Sequence, residues 1–198
     1  IIPTSGGGML LSDDAALIAR ARQLSTQARE PARHYEHRDM GFNYRMSNVL
    51  AGIGRGQLRV LEQRVQQRRA VFERYRQALA DIPCLRWMPE PRGHLATRWL
   101  TCFTLAGPHA SERCELLMKS MERHQIEVRP VWKPMHKQPL FEGAPYFTHA
   151  DGVDVSCTLF ESGVCLPSGS NLTEDQQNRV VAHLRLVLSS QEECRALV

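Results

Sequence analysis

From Asn48 to about Ala80 the chain carries one uninterrupted helical pattern: Val49, Ile53, Leu58, Leu61, Val65, Phe72, Tyr75 and Leu79 recur at helical spacing. Such a helix of roughly thirty residues would span about 50 Å at 1.5 Å per residue, enough to join two domains. Ser47 stands at its start, where a hydroxyl can cap exposed amides. Ile82-Pro83 ends it, because proline cannot continue the backbone ladder. Gly52, Gly54 and Gly56 weaken its first turns and permit close packing against another element. This helix divides the chain into residues 1–46, a linking helix over 47–81, and a C-terminal part over 82–198.

The flanking parts differ in pattern. Met9-Leu10-Leu11 reads as a strand end, and Asp13 to Ala28 as a helix with Leu17, Ile18, Ala21 and Leu24 on one face. Residues 29–44 form a polar loop, so the part before Ser47 has too little pattern for a core of its own. After Pro83 the spacing predicts strands at Leu85–Met88, Trp99–Leu105, Ile126–Arg129 and Val164–Leu166. It predicts helices over Ser111–Gln125 and from the capping box Thr173-Glu174-Asp175-Gln176 onward, with the tail after Ser190 frayed. Helices alternating with a few strands define a small α/β domain.

Composition narrows the function. Hydrophobic content of 42% and charged content of 23% fit a soluble globular protein, and no apolar run reaches the length of a membrane span. The first residues have neither the basic start nor the apolar core of a secretory signal. A net charge of +4 is compatible with a phosphorylated substrate and too small to argue for nucleic acid. The seven arginines between Arg55 and Arg76 are interleaved with Glu62 and Glu73, which favours a solvated face. Cys84, Cys102, Cys114, Cys157, Cys165 and Cys194 form no C-x-x-C pair and read as reduced core thiols of a cytoplasmic protein. His34 and His37 lack an acidic or cysteine partner at metal spacing, so no metal site is expected.

Two segments carry candidate chemistry. Arg129-Pro130-Val131-Trp132-Lys133-Pro134-Met135-His136-Lys137-Gln138-Pro139 holds three prolines, so it is a loop. Ordering a Trp, an Arg, two Lys and a His on one short span points to an anionic ligand with a ring to stack on. A rigid surface loop with an amphipathic Trp is the plainer alternative. Gly41-Phe42-Asn43-Tyr44-Arg45-Met46-Ser47-Asn48 leads into a helix N-terminus, which suits a phosphate or carboxylate. Asn43 as a turn former and Arg45 as a surface ion pair are the plainer readings there.

These two segments, together with Ser5-Gly6-Gly7-Gly8-Met9-Leu10 and Gly163-Val164-Cys165-Leu166-Pro167-Ser168-Gly169-Ser170-Asn171, occur in the same order in one family. The chain resembles the DegT/DnrJ/EryC1/StrS sugar aminotransferases, and within them the branch acting at C4 of a UDP-linked 4-keto-6-deoxy-N-acetylhexosamine. The resemblance runs from Ile1 to about Leu188. It implies the C-terminal part of a fold-type I aminotransferase dependent on pyridoxal phosphate (PLP), with a short, mainly antiparallel sheet. Residues 1–46 would then belong to the large cofactor-binding domain.

The same resemblance implies glutamate and a UDP-sugar as substrates, a cytoplasmic homodimer with shared active sites, and neither nucleic acid nor membrane as partner. It places Asn43 on the cofactor phosphate of the other subunit. Arg45, Trp132, Lys133 and His136 would touch the nucleotide sugar, Trp132 by stacking and Lys133 through the diphosphate. His136 bonded to a backbone carbonyl is the structural alternative, and Arg129 would brace the loop. The Schiff-base lysine of the family falls immediately before Ile1, and none of Lys119, Lys133 and Lys137 matches it. The chain thus reads as an inactive C-terminal fragment. A non-catalytic nucleotide-sugar-binding or dimerisation module, or part of a related PLP sugar dehydratase, remains the alternative.

Overall fold

Asp14 starts the first helix, α1 (Ala15–Ser25), by accepting from the amides of Ala16 and Leu17 at 2.9 and 3.0 Å. The computed structural model describes residues 1–189, which divide into two compact units at Glu62/Gln63. The expected helix from Asp13 to Ala28 is shorter at both ends. The Thr26 hydroxyl donates to the carbonyls of Arg22 and Gln23, and Gln27 and Ala28 turn to positive φ. The chain then doubles back: Gln27 donates to Phe42 and Tyr44 to Ser25, which brings Asn43 opposite Thr26. Gly41 permits this, since a Cβ there would stand 2.2 Å from the Gln27 carbonyl carbon. Met9–Leu11 forms no strand; all three side chains are exposed, and the segment pairs with no strand among the described residues. Ala28 is the only buried residue of this unit, in keeping with a segment that lacks its own core.

The long helical pattern folds as two helices rather than one. Ser47 caps α2 (Asn48–Leu58) by accepting from Leu50 at 3.2 Å, as its position predicts. The helix stops at Arg59-Val60, where Val60 donates to Gln57 at 3.1 Å in a tightened turn, and α3 (Leu61–Ala78) begins. Three glycines in α2 lower its propensity enough for a turn of this kind to interrupt it. The boundary between the units falls in the first turn of α3.

The second unit is built on a four-stranded antiparallel sheet in the order β1 (Leu85–Trp87), β2 (Thr101–Leu105), β4 (Gly163–Leu166) and β3 (Arg129–Pro130). Helices α4 (Ala110–Arg123), α5 (Val155–Ser162) and α6 (Glu174–Ser189) complete it. Phe103, Leu105, Val164 and Leu166 form the apolar face of the sheet. They join one core with Val71, Tyr75 and Leu79 of α3, Leu117 and Met121 of α4, and Val180, Leu184 and Leu188 of α6. The predicted capping box is formed: Thr173 and Gln176 exchange hydrogen bonds at 3.0 and 3.2 Å. Helix α5 was not foreseen, because eight residues are too few for a clear period.

Four cysteines, Cys102, Cys114, Cys157 and Cys165, are free thiols, but Cys84 is disulfide-bonded, so the expectation of uniformly reduced thiols fails there. Cys194 and the expected fraying after Ser190 lie outside the described residues.

Leu184 is fully buried, whereas Leu186 on the same helix is 67% exposed. Leu184→Ala is expected to lower the unfolding free energy by about 2–5 kcal/mol, and Leu186→Ala by less than about 0.5 kcal/mol. Urea denaturation of the two variants measures the difference.

Candidate functional site

Strand β3 is only two residues long, and after it the proline-rich loop leaves the sheet edge. Pro134 and Pro139 introduce short 3₁₀ turns at Met135–Lys137 and Pro139–Phe141. The loop walls a groove of about 1010 Å³ in the second unit, whose lining includes Arg68, Arg129, Trp132, Lys133, Cys165 and Ser168. Gly163 allows the wall to approach the sheet: a Cβ there would lie 2.3 Å from the Leu159 carbonyl oxygen and 2.6 Å from the Val131 side chain.

The groove combines aromatic surface with two cations, Arg68 and Lys133, that meet no acid among the described residues. Trp132 is 60% exposed and stacks on Trp99 with ring centres 5.7 Å apart and an interplanar angle of 28°. Arg129 is taken by Glu127, its Nε donating at 2.8 Å. Arg68 has no acid. Its guanidinium donates to the carbonyls of Trp99, at 2.9 Å, and Ser168, while its buried Nε has no partner among the described residues. Burial pulls the Arg68 pKa below its usual value, as expected for a cation in a poorly solvated place without a counterion. The amine of Lys133 likewise has no carboxylate partner among the described residues, and its side chain is exposed.

His136 is held elsewhere in the loop. Its Nε2 lies 2.7 Å from an Asp154 oxygen, and its ring stacks on Tyr146 at 3.6 Å and 12°. Tyr146 donates to the other Asp154 oxygen at 3.1 Å. Asp154 also caps α5, accepting from the Cys157 amide at 2.9 Å and the Ser156 hydroxyl at 2.8 Å. The Cys157 amide first, then Ser156, His136 and Tyr146, hold its carboxyl well below the usual range. His136 is therefore anchored by a carboxylate, not by a backbone carbonyl, and its Nδ1 has no partner among the described residues.

Of the sequence candidates, Trp132 and Lys133 share the groove and His136 sits further along the same loop. Asn43 and Arg45 belong to the first unit, both exposed, on the turn that carries the chain from the Thr26–Asn43 bridge to the Ser47 cap. Neither side chain has a partner among the described residues. Sequence reasoning missed Arg68, Trp99 and Asp154. Trp99 lay within a predicted strand that begins only at Thr101. Arg68 was one of seven arginines assigned to a solvated face. Three of them turn inward instead: Arg68 into the groove, Arg69 onto Glu90 at 2.9 Å, and Arg74 onto Gln177 at 2.6 Å. Only Asp154 left a signal, as a helix-capping acid two residues before Ser156. His34 and His37 go to Glu36 and the Gln27 carbonyl.

The chain belongs to the DegT/DnrJ/EryC1/StrS aminotransferase family, whose model matches residues 1–185. It is 50% identical over 181 residues, 91% of its length, to EpsN of Bacillus subtilis, named for a proposed pyridoxal phosphate-dependent aminotransferase activity. It is 34% identical over 192 residues to the GDP-perosamine synthase of Caulobacter vibrioides, covering 95% of this chain and 50% of that one. The chain spans about half the length of the relatives it matches, 46% in the case of EpsN. Its fold also matches the aminotransferase TlmJ from Streptoalloteichus hindustanus, with a TM-score of 0.75 at 23% identity over 90% of this chain and 46% of that one.

Pyridoxal phosphate, implied by the family, needs a lysine amine in a sheltered pocket. Lys119 is paired with Glu115 at 2.5 Å on the open face of α4, and Lys133 and Lys137 are exposed. None offers a covalent anchor, so the residues present do not make a complete cofactor pocket. The exposed Asn43 amide can donate to a phosphate oxygen.

Because Asp154 is held below its ordinary value, it contributes stability that is complete above the unfolded value near pH 4 and lost as pH falls through the folded value. Asp154→Asn is expected to flatten the acid limb of the stability–pH curve below about pH 4. Denaturant unfolding at stepped pH values checks this.

Proposed function

We propose that the chain forms the nucleotide-sugar-holding part of an aminotransferase that moves an amino group from glutamate to C4 of a UDP-linked 4-keto-6-deoxy-N-acetylhexosamine. The observation that carries this reading is a groove lined by Arg68 and Lys133, which meet no acid among the described residues, and by Trp132, whose ring is backed by Trp99. A diphosphate supplies the missing negative charge, and a base or sugar ring supplies a face for the tryptophan surface. Membership of the sugar aminotransferase family supports the reaction class.

In this reading pyridoxal phosphate, when bound, carries the amino group and takes up the electrons displaced at the reacting carbon. The chain's own residues bind and orient. Lys133 and Arg68 hold the diphosphate, Trp132 packs on the ring, and His136, fixed by Asp154, offers Nδ1 to a sugar hydroxyl or phosphate. Arg45 presents its planar fork to a phosphate or sugar oxygen. Asn43 donates to the cofactor phosphate across the interface of a homodimer. The GDP-perosamine synthases among the relatives make a GDP-sugar the competing substrate class.

Titration calorimetry with UDP-N-acetylglucosamine as probe tests the groove. Losing a charge-assisted contact of about 1.5–3 kcal/mol is expected to weaken binding roughly ten- to a hundredfold in Lys133→Ala. Unchanged affinity in folded Lys133→Ala removes the groove as the binding site. Tighter binding of GDP-mannose than of the UDP-sugar moves the substrate to the GDP-linked class.

A further inference from the structure

The face of the sheet opposite the core carries two cysteines that neither the packing nor the proposed function explains. Cys102 on β2 and Cys165 on β4 are directly opposed in the antiparallel register, with sulfurs 3.4 Å apart. The backbone shows which kind of pair this is. Met88 donates to the Cys102 carbonyl, so that residue's backbone bonds turn outward to the β1 side. Cys165 is paired with Arg129, two positions from the Val131-to-Gly163 bond, so its backbone bonds turn to β3. Cys102 and Cys165 therefore form a non-hydrogen-bonded pair, the class whose Cα atoms stand about 4.5 Å apart. A disulfide accepts Cα separations of about 4.4–6.8 Å, so closure needs side-chain rotation and no shift of either strand.

We propose that Cys102 and Cys165 are a redox-active dithiol, closing to a cross-strand disulfide by exchange with a small anionic disulfide that enters from the groove. Cys165 lines the groove, whose uncompensated cations attract an anion such as glutathione disulfide. Cys102 lines an adjoining hollow with Trp87, Val131 and Leu159. Cys165 lines the groove by which the disulfide enters and is therefore the attacking sulfur; the hydrogen bond it shares with Cys102 lowers its pKa and raises that of Cys102.

The Cys165 thiolate attacks one sulfur of glutathione disulfide, and the S–S bond breaks to release one glutathione thiolate. Cys102 then gives its proton to solvent and attacks the Cys165 sulfur, releasing the second glutathione. Two protein thiols are oxidised and one small disulfide is reduced to two thiols. The other free thiols do not compete for the same partner: Cys114 donates to the Ser162 carbonyl at 3.1 Å and Cys157 to Glu161 at 3.2 Å. The bond would fasten β2 to β4 immediately beside the β3 edge that launches the groove wall. The proposal rests on the thiol geometry and the open groove and stands apart from the nucleotide-sugar reading.

Incubation of the whole chain with glutathione disulfide, followed by alkylation and peptide mapping, tests it. The expected product is one new cross-link joining the Cys102 and Cys165 peptides, reversed by dithiothreitol. Cys102→Ser is expected to stop at a glutathione adduct on Cys165. Cys165→Ser is expected to slow modification of Cys102 by at least about tenfold relative to Cys165 in Cys102→Ser. A new bridge through Cys114 or Cys157, or a pair still reduced in excess glutathione disulfide while the circular dichroism remains that of the folded chain, overturns the proposal.

Discussion

The second unit depends on β4 being buried along its whole length. Gly163, Val164, Cys165 and Leu166 are all buried, Cys165 keeping a small exposed edge on the groove, and the strand is paired on both edges. Four successive residues must therefore tolerate burial on both faces. Val164 and Leu166 supply apolar bulk to the helices, while Gly163 leaves room for Leu159 and Val131. Just beyond the strand, the Tyr75 hydroxyl donates to the Pro167 carbonyl at 3.1 Å, and Ser168 accepts from the Thr101 amide at 2.8 Å. Burial holds the Tyr75 phenol well above its usual pKa, so it remains a donor throughout the ordinary pH range. These bonds hold α3, β2 and the end of β4 in one arrangement, and Arg68 closes the same corner through Ser168.

That corner explains why the groove is cationic. An arginine brought in on α3 to satisfy the carbonyls of Trp99 and Ser168 meets no acid among the described residues. Ordinarily a half-buried cation of this kind is costly unless a counterion arrives. The loop wall adds Lys133 at the other side, and Glu127 is already occupied by Arg129. Anion binding in the groove, as proposed, would answer the charge left there, while Asp154 fixes His136 independently at the far end of the loop.

Most of the secondary structure was legible because its signals are local. Ser47, the Thr173–Gln176 box and the alternation in Thr101–Leu105 each act within a few residues, and each works as its chemistry dictates. The interruption at Arg59-Val60 was not legible, since apolar spacing continues across it and only the backbone bonding changes. Of the site, the loop with Trp132 and Lys133 was visible from its prolines and charges. Arg68 was not, because a helix pattern cannot tell an arginine facing carbonyls thirty-one and a hundred residues away from one facing water. Trp99 and Asp154 acquire their roles from partners thirty-three and eighteen residues distant, and Asp154 alone carried a capping signal in sequence.

The first unit buries a single residue, Ala28, while Met9, Leu11, Tyr35, Met40, Tyr44 and Val49 are all more than 70% exposed. A segment with so little apolar burial contributes almost nothing to the heat-capacity change of unfolding. Calorimetric enthalpy, about 0.7 kcal/mol per residue for packed proteins, would then scale with the second unit and fall short of the value for the whole chain. The helices and turns of residues 1–62 are consequently an enthalpic passenger: their geometry is written by local caps and backbone bonds, and its persistence on heating would be governed by contact with additional apolar surface.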